Sequence, residues 1–159
     1  MSVYNMHAYY IPEGGFMLII EHTIETVASP EAIWSIWEDV VHWNTWDHGI
    51  EYSTLEGPFK KGSKGALKPK GGPLVHTLLT KVEPMKCFVD ESKLFFAKII
   101  VSHFMSTSKG KTIVTHRIEM TGPLAFVFAY IIGRTMKKNL PQEMGAMVKK
   151  AESLSKSKL

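Results

Sequence analysis

From 124 to 132 nine consecutive residues are apolar or aromatic, and beyond them Met136, Leu140, Met144, Met147, Ala151 and Leu154 recur at steps of four and three. That spacing places one apolar stripe on a single helical face. Arg134, Lys137, Lys138, Gln142, Lys149, Lys150 and Glu152 occupy the other face. The pattern predicts one long helix over 121–154, with Gly122 ending the preceding strand and Pro123 at the first helical position, where its missing N–H costs nothing. Nine apolar residues fall short of the roughly 20 needed to span a bilayer, so the run must be covered by protein or line an apolar cavity. Pro141 removes one helical hydrogen bond and is expected to bend the helix, turning Leu124, Val127, Phe128, Tyr130 and Ile131 toward the interior.

Upstream, the period is close to two. Residues 16–26 alternate, with Leu18, Ile20, His22 and Ile24 on one face and Glu21, Thr23 and Glu25 on the other, as in a half-buried strand. Ser29 and Pro30 then read as N-cap and first residue of a short helix carrying Ile33, Trp34, Ile36, Trp37 and Val40, and a second helical piece holds Trp43 and Trp46. Strands follow over 50–55, 65–68, 76–83, 87–92, 95–105 and 112–121, separated by Gly- and Pro-containing turns. Parity turns His76, Leu78, Thr80 and Val82 inward on one strand, Phe95, Ala97, Ile99, Val101, His103 and Met105 on the next long one, and Val114, His116, Ile118 and Met120 on the last. Strands in sequence with helices segregated from them indicate an α+β domain on a curved antiparallel sheet, and the space between sheet and long helix is where a ligand would sit.

The 159 residues are read as a single domain, with residues 1–15 an aromatic arm and 155–159 a polar tail. Tyr4, Tyr9 and Tyr10 of the arm would pack either across the domain or across a homodimer. The formal charge of +4 gathers at Lys60, Lys61, Lys64, Lys68 and Lys70, a solvated hairpin rather than a nucleic-acid surface, which would also interleave aromatics. Cys87 is the only cysteine, so no internal disulfide forms. With no signal-like or membrane-spanning segment, a cytoplasmic location is expected. Phosphate-binding glycine loops, nucleophile elbows and H-E-x-x-H are absent. No cofactor is expected.

The segment Ile24-Glu-Thr-Val-Ala-Ser-Pro-Glu-Ala-Ile-Trp34, followed by Asp39 and Trp46, resembles the opening of the START-like, Bet v 1-like superfamily, in particular its polyketide cyclase/dehydrase type. The run from Gly110 to Leu124, then Gly133-Arg134, Leu140-Pro141 and Lys149-Lys-Ala-Glu152, resembles that family's last strand and closing helix. Over residues 16–154 the resemblance implies the helix-grip fold, a seven-stranded antiparallel sheet wrapped around the long helix with an internal apolar cavity. Members bind or carry lipids, quinones, hormones or polyketides, and some catalyse cyclisation or dehydration.

Four histidines, His22, His76, His103 and His116, fall on inward faces. A two-residue hairpin at Lys109-Gly110 would set His103 opposite His116, and the resemblance, which lays the first strand beside the last, brings His22 near His116. Such a row in an apolar pocket would orient a carbonyl or hydroxyl or move a proton; equally, each histidine could be a separately satisfied core residue. Three imidazoles can hold zinc, but these come from separate strands without a recognisable spacing, and no metal is expected. The candidate catalytic residues are His103, His116 and His22. The candidate ligand-binding residues are His76, Trp37, Trp46, Tyr52, Phe95, Val101, Ile118, Met120, Val127, Phe128 and Ile131. Three functions are compatible with these residues: binding a small apolar or aromatic ligand, cyclase or dehydratase chemistry with a histidine removing a proton next to a carbonyl, and a protein-interaction module using the apolar run and the N-terminal tyrosines.

Overall fold

A computed structural model describes residues 2–11 and 15–157, with side chains from Met17 onward. The seven strands expected from alternation are present: β2 (Gly15–Thr26), β3 (Ile50–Leu55), β4 (Lys64–Pro69), β5 (Val75–Glu83), β6 (Cys87–Leu94), β7 (Ala97–Ser108) and β8 (Lys111–Gly122). The arm adds β1 (Ser2–Ile11), so one antiparallel sheet runs in the order β1-β2-β8-β7-β6-β5-β4-β3. The tyrosine side chains of the arm and the turn at 12–14 lie outside the described residues.

Helix α1 (Pro30–Glu38) starts as its sequence dictates, Ser29 Oγ accepting from Ala32 N–H at 3.2 Å. A 3-10 segment (Val40–Thr45) follows. The closing helix begins two residues later than expected, with Pro123 in the preceding turn. It consists of α2 (Ala125–Phe128), a π-helical turn (Ala129–Gly133) and α3 (Arg134–Lys156), so Ser155 and Lys156 of the expected tail are helical. Pro141 lies inside α3 without ending it. Helix α2 packs on β2 and β8, and α3 on β2 and α1. No described helix is long and apolar enough to cross a membrane.

Two glycines set the approach of the closing helix. Gly122 has φ +117°, and a Cβ there would stand 2.7 Å from the Phe96 carbonyl oxygen, so only glycine lets the β6–β7 turn sit against the end of β8. Gly133 is buried, and a Cβ on it would meet Leu18 Cδ2 at 3.1 Å. Along the closing helix Ala125, Gly133 and Leu140 are buried and Ala129 packs on the core, so one face, with Gly133 against Leu18 of β2, is turned inward. Ile131 and Tyr130 therefore point to solvent, at 62 % and 76 % exposure, against the expectation that they line the interior.

Candidate functional site

The hairpin at Lys109-Gly110 forms with φ of +50° and +75°, the left-handed pair that a two-residue turn between twisted strands requires. Its register pairs Ser108 with Lys111 and His103 with His116. On the other side of β8, His22 pairs with His116, and beyond β7, Phe88 pairs with His103. Directly opposed residues point to the same face, so His22, His116, His103 and Phe88 form one row across four adjacent strands. All four are buried.

Within this row His103 stacks on Phe88 with ring centres 3.9 Å apart, and meets His116 edge-on at 4.3 Å. Trp37 of α1 covers it, 5.8 Å from His103 and 6.0 Å from His116. The indole N–H of Trp37 reaches Met147 Sδ on α3 at 3.2 Å, joining both helices above the sheet. The space expected between sheet and helix is occupied by Trp37, Phe88, Met144, Met147 and Met120.

Burial disfavours the charged imidazolium. It lowers the pKa of His22, drives that of His116 down to about 3 with help from the charge His22 would carry, and drives that of His103 well down with help from His116. The row is therefore neutral at physiological pH. His103 Nδ1 and His116 Nε2 are buried without a hydrogen-bond partner among the described residues. Such atoms are expensive in an apolar interior unless something pairs with them.

Asp90 completes the cluster. It sits two residues beyond Phe88 on β6, is buried, and brings Oδ2 to 3.9 Å from His103 Nδ1. Burial raises its pKa to about 7. Because burial pushes both groups toward neutrality, this is not a committed ion pair. Sequence reasoning passes over Asp90, although Phe88, Asp90 and Ser92 share its parity and are all buried.

This raised pKa makes stability depend on pH. The folded protein holds the Asp90 proton between pH 4 and 7, where the unfolded chain releases it, so Asp90 contributes a decline in stability as pH rises through this window, opposed below about pH 6.5 by the buried histidines, which the unfolded chain protonates and the folded protein does not. Asp90→Asn should remove up to about 1.4 kcal/mol per pH unit of that decline. Urea midpoints taken across the window check it, and parallel curves for the two proteins would contradict it. Glu143 offers an internal control at higher pH, since burial and its hydrogen-bonded neighbour Asp47 raise it to about 8.

Among the other candidates, Trp46, Ile118 and Met120 are buried, and Val101, Val127 and Phe128 are half-buried. Phe128 and Val101 pack on the main core. Four candidates point elsewhere. His76 is exposed because the register of β5 shifts between Leu79 and Lys81; the bulge switches parity, so Thr77 and Leu79, not His76 and Leu78, face inward ahead of Val82. Tyr52 is exposed for the same reason, a register shift after Ile50 that turns Ser53 inward. Phe95 is 72 % exposed because it lies in the β6–β7 turn, where Phe96 has φ +49°. Ile131 lies on the solvent side of the π-helical turn.

Among the described residues no three His, Cys, Asp or Glu side chains are arranged to hold a metal ion. Two surface depressions flank the fold. One of about 320 Å³ is lined by Arg134, Lys137, Lys138 and Pro141. The other, of about 330 Å³, is lined by residues 38–41, Leu55 and 57–59. Phe59, in its wall, packs on Phe88 at 5.1 Å, one ring away from His103.

Comparison with known proteins agrees with this architecture. A family described as polyketide cyclase/dehydrase and lipid transport matches residues 17–152. No curated protein matches significantly. Among solved structures, a hypothetical protein from Helicobacter pylori superposes with a TM-score of 0.73 at 9 % identity, over 84 % of this chain and 87 % of that one. The Zhui aromatase/cyclase from Streptomyces sp. R1128 gives 0.68 at 13 % identity, over 86 % and 94 %. Norcoclaurine synthase from Thalictrum flavum, in complex with dopamine and hydroxybenzaldehyde, gives 0.65 at 14 % identity, over 86 % and 87 %.

Proposed function

The chain belongs to the polyketide cyclase/dehydrase and lipid transport family, and from that premise we propose that it binds a small aromatic or otherwise apolar molecule carrying a carbonyl or hydroxyl group. The observation that carries this is the pair of buried, unpartnered nitrogens, His103 Nδ1 and His116 Nε2, in an apolar interior. A neutral imidazole offers one donor and one acceptor, so the row can meet either a carbonyl or a hydroxyl. Around it Ile118, Met120, Met144 and Met147 supply apolar surface, whose burial of the ligand contributes about 25 cal/mol per Å² before the costs of association. The ligand must displace side chains, and methionine, unbranched with three rotatable bonds, repacks at low cost. The Phe59 wall offers a covered route to the row, since that ring packs on Phe88 and moving it uncovers Phe88.

A second function, a cyclase or dehydratase, is favoured by Asp90. A carboxyl with a pKa near 7 is matched to proton transfer at neutral pH, whereas an imidazole held at about 3 is a poor base there. In that chemistry Asp90 takes the proton alpha to a carbonyl, and the His103 and His116 N–H groups hydrogen-bond the oxygen on which negative charge develops.

Protein purified under native conditions, denatured and extracted for mass spectrometry is expected to release an aromatic or apolar oxygen-bearing compound near one equivalent, absent from His103→Leu/His116→Leu. Repeatedly empty extracts from wild-type protein would count against the proposal.

A further inference from the structure

At one end of the molecule large apolar side chains stand in water. Phe95 and Phe96 are 72 % and 64 % exposed in the β6–β7 turn, and Phe126, Tyr130 and Ile131 are 54 %, 76 % and 62 % exposed on the closing helix. The two elements are tied together, Leu124 N–H donating to the Phe96 carbonyl oxygen at 3.1 Å. Exposed residues of this size gathered on two linked elements mark an interaction surface rather than the singly scattered apolar residues of an ordinary surface.

Immediately along the helix the chemistry changes. Arg134, Lys137 and Lys138 are exposed and, with Pro141, line the depression of about 320 Å³. The Arg134 guanidinium lies 5.9 Å from the Tyr130 ring centre, so the first cation borders the apolar group directly. A helical rise of about 1.5 Å per residue puts Arg134 and Lys138 about 5 and 10 Å along the axis from Ile131. That separation matches the distance over which an interfacial element passes from acyl chains to headgroups.

We infer that this end docks on an anionic phospholipid bilayer. Phe95, Phe96, Phe126, Tyr130 and Ile131 enter the interface, and the Arg134/Lys137/Lys138 depression receives lipid phosphate. Charge distinguishes this occupant from a second copy of the chain, because a two-fold contact through this end would set Arg134 and Lys138 of both copies in one interface. The docking surface is independent of the ligand proposed for the histidine row, and either can fail without the other.

The full chain is sedimented with vesicles of phosphatidylcholine alone and of phosphatidylcholine and phosphatidylglycerol in equal parts. Binding is expected to the mixed vesicles, to weaken as salt is raised, and to be much weaker on phosphatidylcholine. Arg134→Gln and Lys138→Gln should each lower the partition constant about fivefold, and Tyr130→Ser/Ile131→Ser should abolish it. Thermal unfolding of these surface variants should match wild type. No binding to mixed vesicles would overturn the inference, as would equal binding to both compositions. So would a concentration-dependent dimer or a co-purified protein that the same substitutions release while vesicles remain unbound.

Discussion

Trp37→Ala should destabilise the protein by about 3–5 kcal/mol, the range for deleting a large core aromatic whose surroundings relax only partly. Trp37 is fully buried and touches every layer of the fold: Trp34 at 6.1 Å on its own helix, Phe88 at 5.4 Å, His103 and His116 on the sheet, and Met147 on α3. Its backbone carbonyl also accepts the Trp43 indole N–H at 3.0 Å, fastening the 3-10 segment to α1. Truncation therefore opens space where sheet and both helices meet, beside histidines already short of partners. Urea denaturation with an unchanged m-value would measure the loss. A loss below about 1 kcal/mol, the central value for an ordinary substitution, would mean that Trp37 is not the hub of the packing.

Much of the site is legible in the sequence alone. Lys109-Gly110 is a strong turn signal, and once that turn is fixed the pairing of His103 with His116 is a matter of counting. His22 joins them because its strand alternates without interruption and the family resemblance lays that strand beside the last one. His76 departs from its expected inward face because its strand contains a bulge, and alternation cannot reveal a bulge: one extra residue inverts every later side chain. Phe95 and Ile131 show that apolar character alone does not mean inward, since one lies in a tight turn and the other on the far side of a π-helical turn. Asp90 is hidden because a lone carboxylate between Val89 and Glu91 reads as surface. Its signal is the shared parity with Phe88, and only the pairing of β6 with β7 shows that this parity points at His103.

The second large effect concerns recognition. A hydroxyl reaching His103 Nδ1 or His116 Nε2 would satisfy a buried atom that otherwise lacks a partner, and each such pairing is worth about 1–3 kcal/mol, or roughly 10- to 100-fold in affinity. Replacing those histidines by Leu removes the unpaired atoms together with the interaction, so His103→Leu and His116→Leu should fold with little loss of stability, while the variant lacking the histidine that pairs with the hydroxyl loses discrimination. This separates a recognition role from a structural one, in which removing either ring would chiefly lower stability.

The most direct measurement is a titration, followed by tryptophan fluorescence, of wild-type protein and both Leu variants with 2-naphthol and with 2-methylnaphthalene, which match in shape and differ in a hydroxyl. Wild type should prefer 2-naphthol roughly 10- to 100-fold, and the variant lacking the histidine that pairs with the hydroxyl should bind the two compounds alike. Equal affinity in wild type, or a preference that survives in both variants, would contradict a ligand held at the histidine row.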